Sequence, residues 1–108
     1  MSHVTTHVLD AALGRPAAGV SVMLEHSDGT LVALGTTDVD GRVSSLGPDR
    51  LAVGHYRLVF NTAAYFLVLG QKTFYPRVAI DFDLAEGDAH YHVPHLLSPF
   101  AYSTYRGS

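Results

Sequence analysis

The sequence predicts an all-β domain, an antiparallel sandwich of short strands with one short helix between them. Three observations predict it. Apolar residues recur at every second position in several short stretches, the period of a strand with one buried face. Asp–Gly dipeptides and prolines punctuate those stretches. A single segment, "NTAAYFLVLGQ", departs from the alternation.

The elements follow in order. In "TTHVLD", Val4 and Val8 flank His7 in a first strand. "GVSVMLEH" puts Val20, Val22 and Leu24 on one face, and Asp28-Gly29 then tolerates the positive φ of a tight hairpin. "TLVALGTT" is the return strand, and a second Asp–Gly turn, Asp40-Gly41, ends just before Arg42. "HYRLVF" alternates Tyr56, Leu58 and Phe60 against Arg57 and Val59. In the exceptional segment Thr62 is placed to cap a helix of about two turns that Gly70 ends. "RVAIDFDL" turns Val78, Ile80, Phe82 and Leu84 inward and Arg77, Asp81 and Asp83 outward. Pro94 and Pro99 interrupt the last strand region, where a bend or an edge is expected. The terminal "AYSTYRGS" alternates again, Tyr102, Thr104 and Arg106 against Ser103 and Tyr105, a pattern that implies an ordered tail.

Composition narrows the function. The 108 residues suffice for one domain over 1–108 with a sizeable core. Without cysteine there is no disulfide, thiolate zinc site or cysteine nucleophile. A net charge of -3 with scattered basic residues argues against a nucleic-acid surface. No apolar run approaches the about 18 residues that cross a bilayer, and "MSHVTTHVLD" does not read as a secretory signal, so a cytoplasmic location is expected.

The chemistry must come from imidazoles and arginines, for there are seven histidines. His90 and His92 have the His-x-His spacing of a metal pair, but a zinc site needs a third ligand that local sequence does not name. His3, His26 and His55 read as surface or satisfied interior residues. His7 sits among apolar neighbours, where an imidazole is poised as an acid or base, whereas Arg42 reads locally as a solvated charge at a turn. Together the imidazoles, an arginine and the terminal hydroxyl and carboxylate can activate water and steady an oxyanion, with no evident covalent nucleophile.

The stretches "THVLDAALGRPAAGVSVMLE", "TTDVDGR", "GHYRLVF", "YF", "FYPRVAIDF" and "HYHVPHLLSPFAYSTYRGS", in this order, resemble the 5-hydroxyisourate hydrolases, transthyretin-related enzymes of urate breakdown. The likeness spans nearly the whole chain. "HYHVP" with the terminal "YRGS" distinguishes these hydrolases from transthyretin proper. The resemblance implies a transthyretin-like sandwich of two sheets and about eight strands, assembled as a homotetramer, a dimer of dimers with sites where the dimers meet. It implies hydrolysis of 5-hydroxyisourate to 2-oxo-4-hydroxy-4-carboxy-5-ureidoimidazoline without metal or organic cofactor, and neither a nucleic-acid nor a membrane partner. Carried over by residue, the catalytic set is His7, Arg42, His92 and Ser108. Substrate contacts fall on His7, Arg42, Tyr105, Arg106, Gly107 and Ser108. His92 is the expected general base, with His7 as alternative or relay. His95 stands where leucine is usual and Ala101 where glycine is common, and His95 is expected near the site or a subunit interface. The alternatives are a small-ligand carrier without catalysis and a metal-dependent hydrolase using His90 and His92.

Overall fold

The computed structural model describes residues 2–85 and 89–107. In chain order the elements are β1 (Val4–Asp10), β2 (Arg15–Pro16), β3 (Ser21–His26), β4 (Leu31–Thr36), β5 (Gly54–Phe60), α1 (Thr62–Val68), β6 (Val78–Leu84), β7 (Tyr91–Leu97) and β8 (Tyr102–Thr104). They form two four-stranded sheets, ordered β2-β1-β7-β8 and β4-β3-β5-β6. The core is the alternating set expected from the sequence: Val4 and Val8, then Val20, Val22 and Leu24, then Tyr56, Leu58 and Phe60 are buried between the sheets. On the edge strand β6 the ends, Val78 and Leu84, are buried while Ile80 and Phe82 pack only partly. Val59, expected on the outer side of β5, is buried as well.

One pairing differs in direction from the antiparallel expectation. β1 runs parallel to β7, from Val4 opposite Tyr91 to Asp10 opposite Leu97. The other ladders are antiparallel. Alternation specifies which side chains share a face but not the direction of a distant neighbour, and the whole second sheet intervenes between these two strands.

Proline 94 neither bends nor ends its strand. β7 passes straight through it and is an inner strand, between β1 and β8. The ladder instead breaks on the neighbouring chain: β8 stops at Thr104, and pairing resumes in the same register with His92 opposite Gly107. That register sets Tyr105 across from Pro94, which has no N–H to offer it. Pro94 keeps a partner through its carbonyl, which accepts the Thr104 hydroxyl at 2.7 Å. Pro99 does lie in a bend, the β7–β8 turn closed by Ser98 and Ala101.

The helix also starts one residue earlier than expected. Asn61 caps it, its side-chain oxygen accepting the Ala64 N–H at 3.2 Å. Thr62 is buried and its hydroxyl is committed to the Tyr75 carbonyl at 2.6 Å, so it cannot cap. Gly70 ends the helix as expected, with φ of 66° and its N–H on the Leu67 carbonyl. Tyr65 ties α1 to the end of β1 by donating its hydroxyl to the buried Asp10 carboxylate at 2.7 Å.

Candidate active site

Parity along β1 and β7 decides which residues meet outside the first sheet. Val4, Thr6 and Val8 face the core, so Thr5 and His7 face out; Tyr91, Val93, His95 and Leu97 face in, so His92 faces out. Because β1 and β7 run parallel in register, Thr5 lies opposite His92 and His7 opposite Pro94. The two histidines therefore share one outer face although 85 positions separate them.

Arg42 is delivered to this face by the turn before it. The Asp38 side-chain oxygen accepts the N–H groups of Asp40 and Arg42, at 2.9 and 3.0 Å, and the Asp38 carbonyl accepts that of Gly41. Gly41 has φ of 76° and lies so close to β1 that a Cβ would collide with the Val8 carbonyl. Its own carbonyl accepts the Val8 N–H at 2.7 Å. Arg42 thus forms a bridge with His7. Arg42 is exposed, as its reading as a solvated charge at a turn expects, while the turn that carries it is docked on β1.

The hydrogen bonds assign roles to the rings. His7 Nε2 lies 2.8 Å from the Asp40 carbonyl, which can only accept, so Nε2 carries a proton and, among the described residues, Nδ1 is the nitrogen left free. His92 Nδ1 contacts the Thr5 hydroxyl at 2.8 Å, leaving Nε2 open among the described residues. Burial, then the positive charge of Arg42 and the neighbouring His90 and His7, hold the His92 imidazole below the usual histidine range. It is neutral near pH 7 and able to accept a proton.

The tail pairs with the strand that carries His92. Gly107 donates its N–H to the His92 carbonyl at 2.8 Å. Tyr105 is exposed. Arg106 goes elsewhere: its guanidinium carbon lies 4.3 Å over the ring of the core residue Tyr91, on the inner side of the sheet. There it lines a cleft of about 330 Å³ with Ile80, Phe82 and Val93, where the short β8 leaves the sandwich edge open. Ser108, expected in the catalytic set, lies outside the described residues.

The remaining histidines sort by environment. His3 is buried with both nitrogens satisfied, by the Ala89 carbonyl and the Leu51 N–H. His26 packs at a tilt against Tyr56, and His55 pairs with Asp83 at the surface. His95 is not at the site face: it is fully buried in the core, stacked on Phe60 at 4.6 Å and edge-on to Tyr102 at 5.5 Å. Its parity with Val93 and Leu97 turns it inward.

Sequence reasoning missed Thr5 and weighed His90 only as a metal ligand. The Thr5 hydroxyl sits between the two rings, 3.1 Å from His90 Nε2. Among the described residues no group of three His, Asp or Glu side chains is placed to hold a metal ion. The signal for Thr5 was its position two before His7 on one strand, which puts both on one face.

Fold and face together define a two-sheet β-sandwich protein with a polar face of imidazoles and an arginine on the outside of one sheet. Residues 4–107 match the model of the HIUase/Transthyretin family, and the chain belongs to that family. Among its relatives, the 5-hydroxyisourate hydrolase of Caulobacter vibrioides is 46% identical over the full length of both chains. That of Salmonella dublin is 43% identical, over 97% of this chain and 80% of the relative. The solved Klebsiella pneumoniae 5-hydroxyisourate hydrolase superposes with a TM-score of 0.90 at 38% identity, covering 100% of this chain and 94% of that one. Transthyretin from Sparus aurata reaches the same TM-score at 33% identity, covering 99% and 97%.

Proposed function

We propose that this protein hydrolyses 5-hydroxyisourate to 2-oxo-4-hydroxy-4-carboxy-5-ureidoimidazoline, opening the six-membered ring at its cyclic amide. The observation that carries the reading is the outer face that joins His7, Arg42 and His92 beside the docked tail. Relatives that bear the hydrolase name align over nearly the whole chain.

The chemistry follows from the roles of the rings. Water attacking the amide carbon loses a proton to Nε2 of His92, a general-base contribution of typically about 10²–10⁴ in rate. The imidazolium so formed returns the proton to the substrate's ring nitrogen as the C–N bond breaks. Arg42 holds the carbonyl oxygen as it gains charge, through guanidinium donors carried on a backbone that the docked turn fixes. His7, its Nε2–H committed to the Asp40 carbonyl, presents Nδ1 as relay partner or acceptor for a substrate N–H. Tyr105 and Gly107 wall the site on the β8 side, with Ser108 next in the chain. Arg106 supports that wall from behind through Tyr91.

The working assembly is a homotetramer, a dimer of dimers that brings two site faces together. Open strand edges at β6 and β8 and the exposed Leu13 and Phe100 support this reading. Light scattering on the eluting protein should give four chains per particle.

The decisive assay is the ultraviolet decay of freshly generated 5-hydroxyisourate, with spontaneous hydrolysis subtracted, for the intact chain and for one lacking the last four residues. Strong acceleration by the first and its loss in a still-assembled second is the expected result. An intact chain that leaves the spontaneous rate unchanged would return the protein to the carrier class.

A further inference from the structure

Thr5 makes contacts that neither the core nor the strand ladder requires. Its hydroxyl oxygen lies 2.8 Å from His92 Nδ1 and 3.1 Å from His90 Nε2, while the two rings stand nearly parallel, 6.4 Å apart at 23°. A hydroxyl carries one proton, so it donates to one of these nitrogens and must accept an N–H from the other. Two arrangements satisfy both contacts. In one, Thr5 donates to His92 Nδ1, which leaves the proton of neutral His92 on Nε2 and closes the nitrogen that faces away from the strand. In the other, His92 Nδ1–H donates to Thr5, Thr5 donates to His90 Nε2, and His92 Nε2 is bare.

We propose that the second arrangement operates, and that Thr5 is a positioning residue which couples His90 to His92 and holds His92 as the Nδ1–H tautomer, with Nε2 free for water. The inference rests on the hydrolase reading only in assigning the bare nitrogen a task. The side of a neutral imidazole that carries the proton is set by the hydrogen bond of its other nitrogen, and Thr5 supplies that bond. His90 can serve as acceptor because it is exposed and can keep its own proton on Nδ1. Among the described residues the other titratable groups that act on His92 are His7 on β1, His90 ahead of β7 and Arg42 beyond the Asp40-Gly41 turn. None of them accepts the Nδ1 proton in the structure, so the tautomer depends on the hydroxyl.

The test reads the tautomer directly. In ¹⁵N-labelled protein near pH 7.5, two-bond ¹H–¹⁵N spectra should show His92 with a protonated Nδ1 and an unprotonated Nε2. Thr5→Val, which keeps the shape and removes the hydroxyl, should shift His92 toward Nε2–H and lower kcat about 10-fold or more, with KM nearly unchanged. Thr5→Ser should restore both. A parent spectrum with the proton on Nε2 overturns the proposal without any variant, as does a Thr5→Val protein with unaltered tautomer and kcat. If His92→Ala turns over normally, the base assignment falls instead, and the spectra still decide the Thr5 link.

Discussion

His92 and Gly107 face each other across the last ladder of the sheet, with the Gly107 N–H on the His92 carbonyl at 2.8 Å. The contact leaves no room for a side chain. A Cβ on Gly107 would stand 2.7 Å from His92 Cδ2 and 3.1 Å from Pro94 Cγ, and the proline ring cannot move aside. Gly107→Ala should therefore push the tail or the imidazole out of place. Turnover is expected to fall about 10-fold or more, while the melting temperature changes little because the tail lies outside the core. Equal loss of stability and activity in a paired melt and decay assay would contradict this.

The histidines can be ranked by activity. His92→Ala should lose about 10²–10⁴ in kcat, the range of a general base. His7→Ala, which removes a ring already bonded to the Asp40 carbonyl, should lose less and show it partly in KM. The reverse order in steady-state kinetics would exchange their roles.

The acid limb of the rate profile should report His92. A base works when deprotonated, and His92 is held below the usual value of 6.5, so half-maximal kcat/KM is expected at a pH under 6.5. Arg42 contributes to that lowering by its charge. Arg42→Gln should move the limb to higher pH as well as reduce the plateau, which a pH series on both proteins would reveal.

Stability should depend on pH through a different histidine. His95 is fully buried, neither ring nitrogen makes a hydrogen bond of normal geometry, and burial pushes its pKa down to about 4 against a smaller upward pull from the nearby Ser103 backbone. The unfolded chain binds the proton from about pH 6.5 downward, whereas the folded chain resists it until about pH 4. The stabilising contribution is thus complete above pH 6.5 and is lost as the pH falls toward 4, on the order of 3 kcal/mol at 1.36 kcal/mol per unit. His95→Leu should flatten that slope in denaturant melts. Removing two unpaired buried nitrogens should also raise stability at pH 7, by about 1–3 kcal/mol.

Tyr65 offers a test of how the helix is held. Its buried hydroxyl, whose pKa burial and then the Asp10 carboxylate raise to about 12, donates to Asp10 and joins α1 to the end of β1. Tyr65→Phe should cost about 1–3 kcal/mol by withdrawing that donor from a buried carboxylate. Urea unfolding at pH 7 measures it.

Local physics in the sequence determined the strands and their faces. Val20, Val22 and Leu24 or Tyr56, Leu58 and Phe60 alternate because a strand turns successive side chains to opposite sides. The Asp28-Gly29 and Asp40-Gly41 turns follow from the positive φ that glycine accepts. The resemblance carried by "HYHVP" and "YRGS" picked out His7, Arg42 and His92, whose meeting on one face the structure now explains.

Tertiary structure alone decided who stands beside whom. Periodicity says nothing about the direction or identity of a distant strand, so the parallel β1–β7 pairing that sets Thr5 against His92 was invisible. Pro94 hid the inward turn of His95, because a proline argues against an inner strand unless the neighbouring chain tolerates the missing N–H, as it does opposite Tyr105. Thr62 lost the helix cap to Asn61 because the Tyr75 carbonyl, 13 residues on, takes its hydroxyl. Arg106 left the site face because the exposed end of the sandwich offered it the Tyr91 ring. Each of these outcomes depends on a partner brought close by folding, and such proximity is written in no short stretch of the chain.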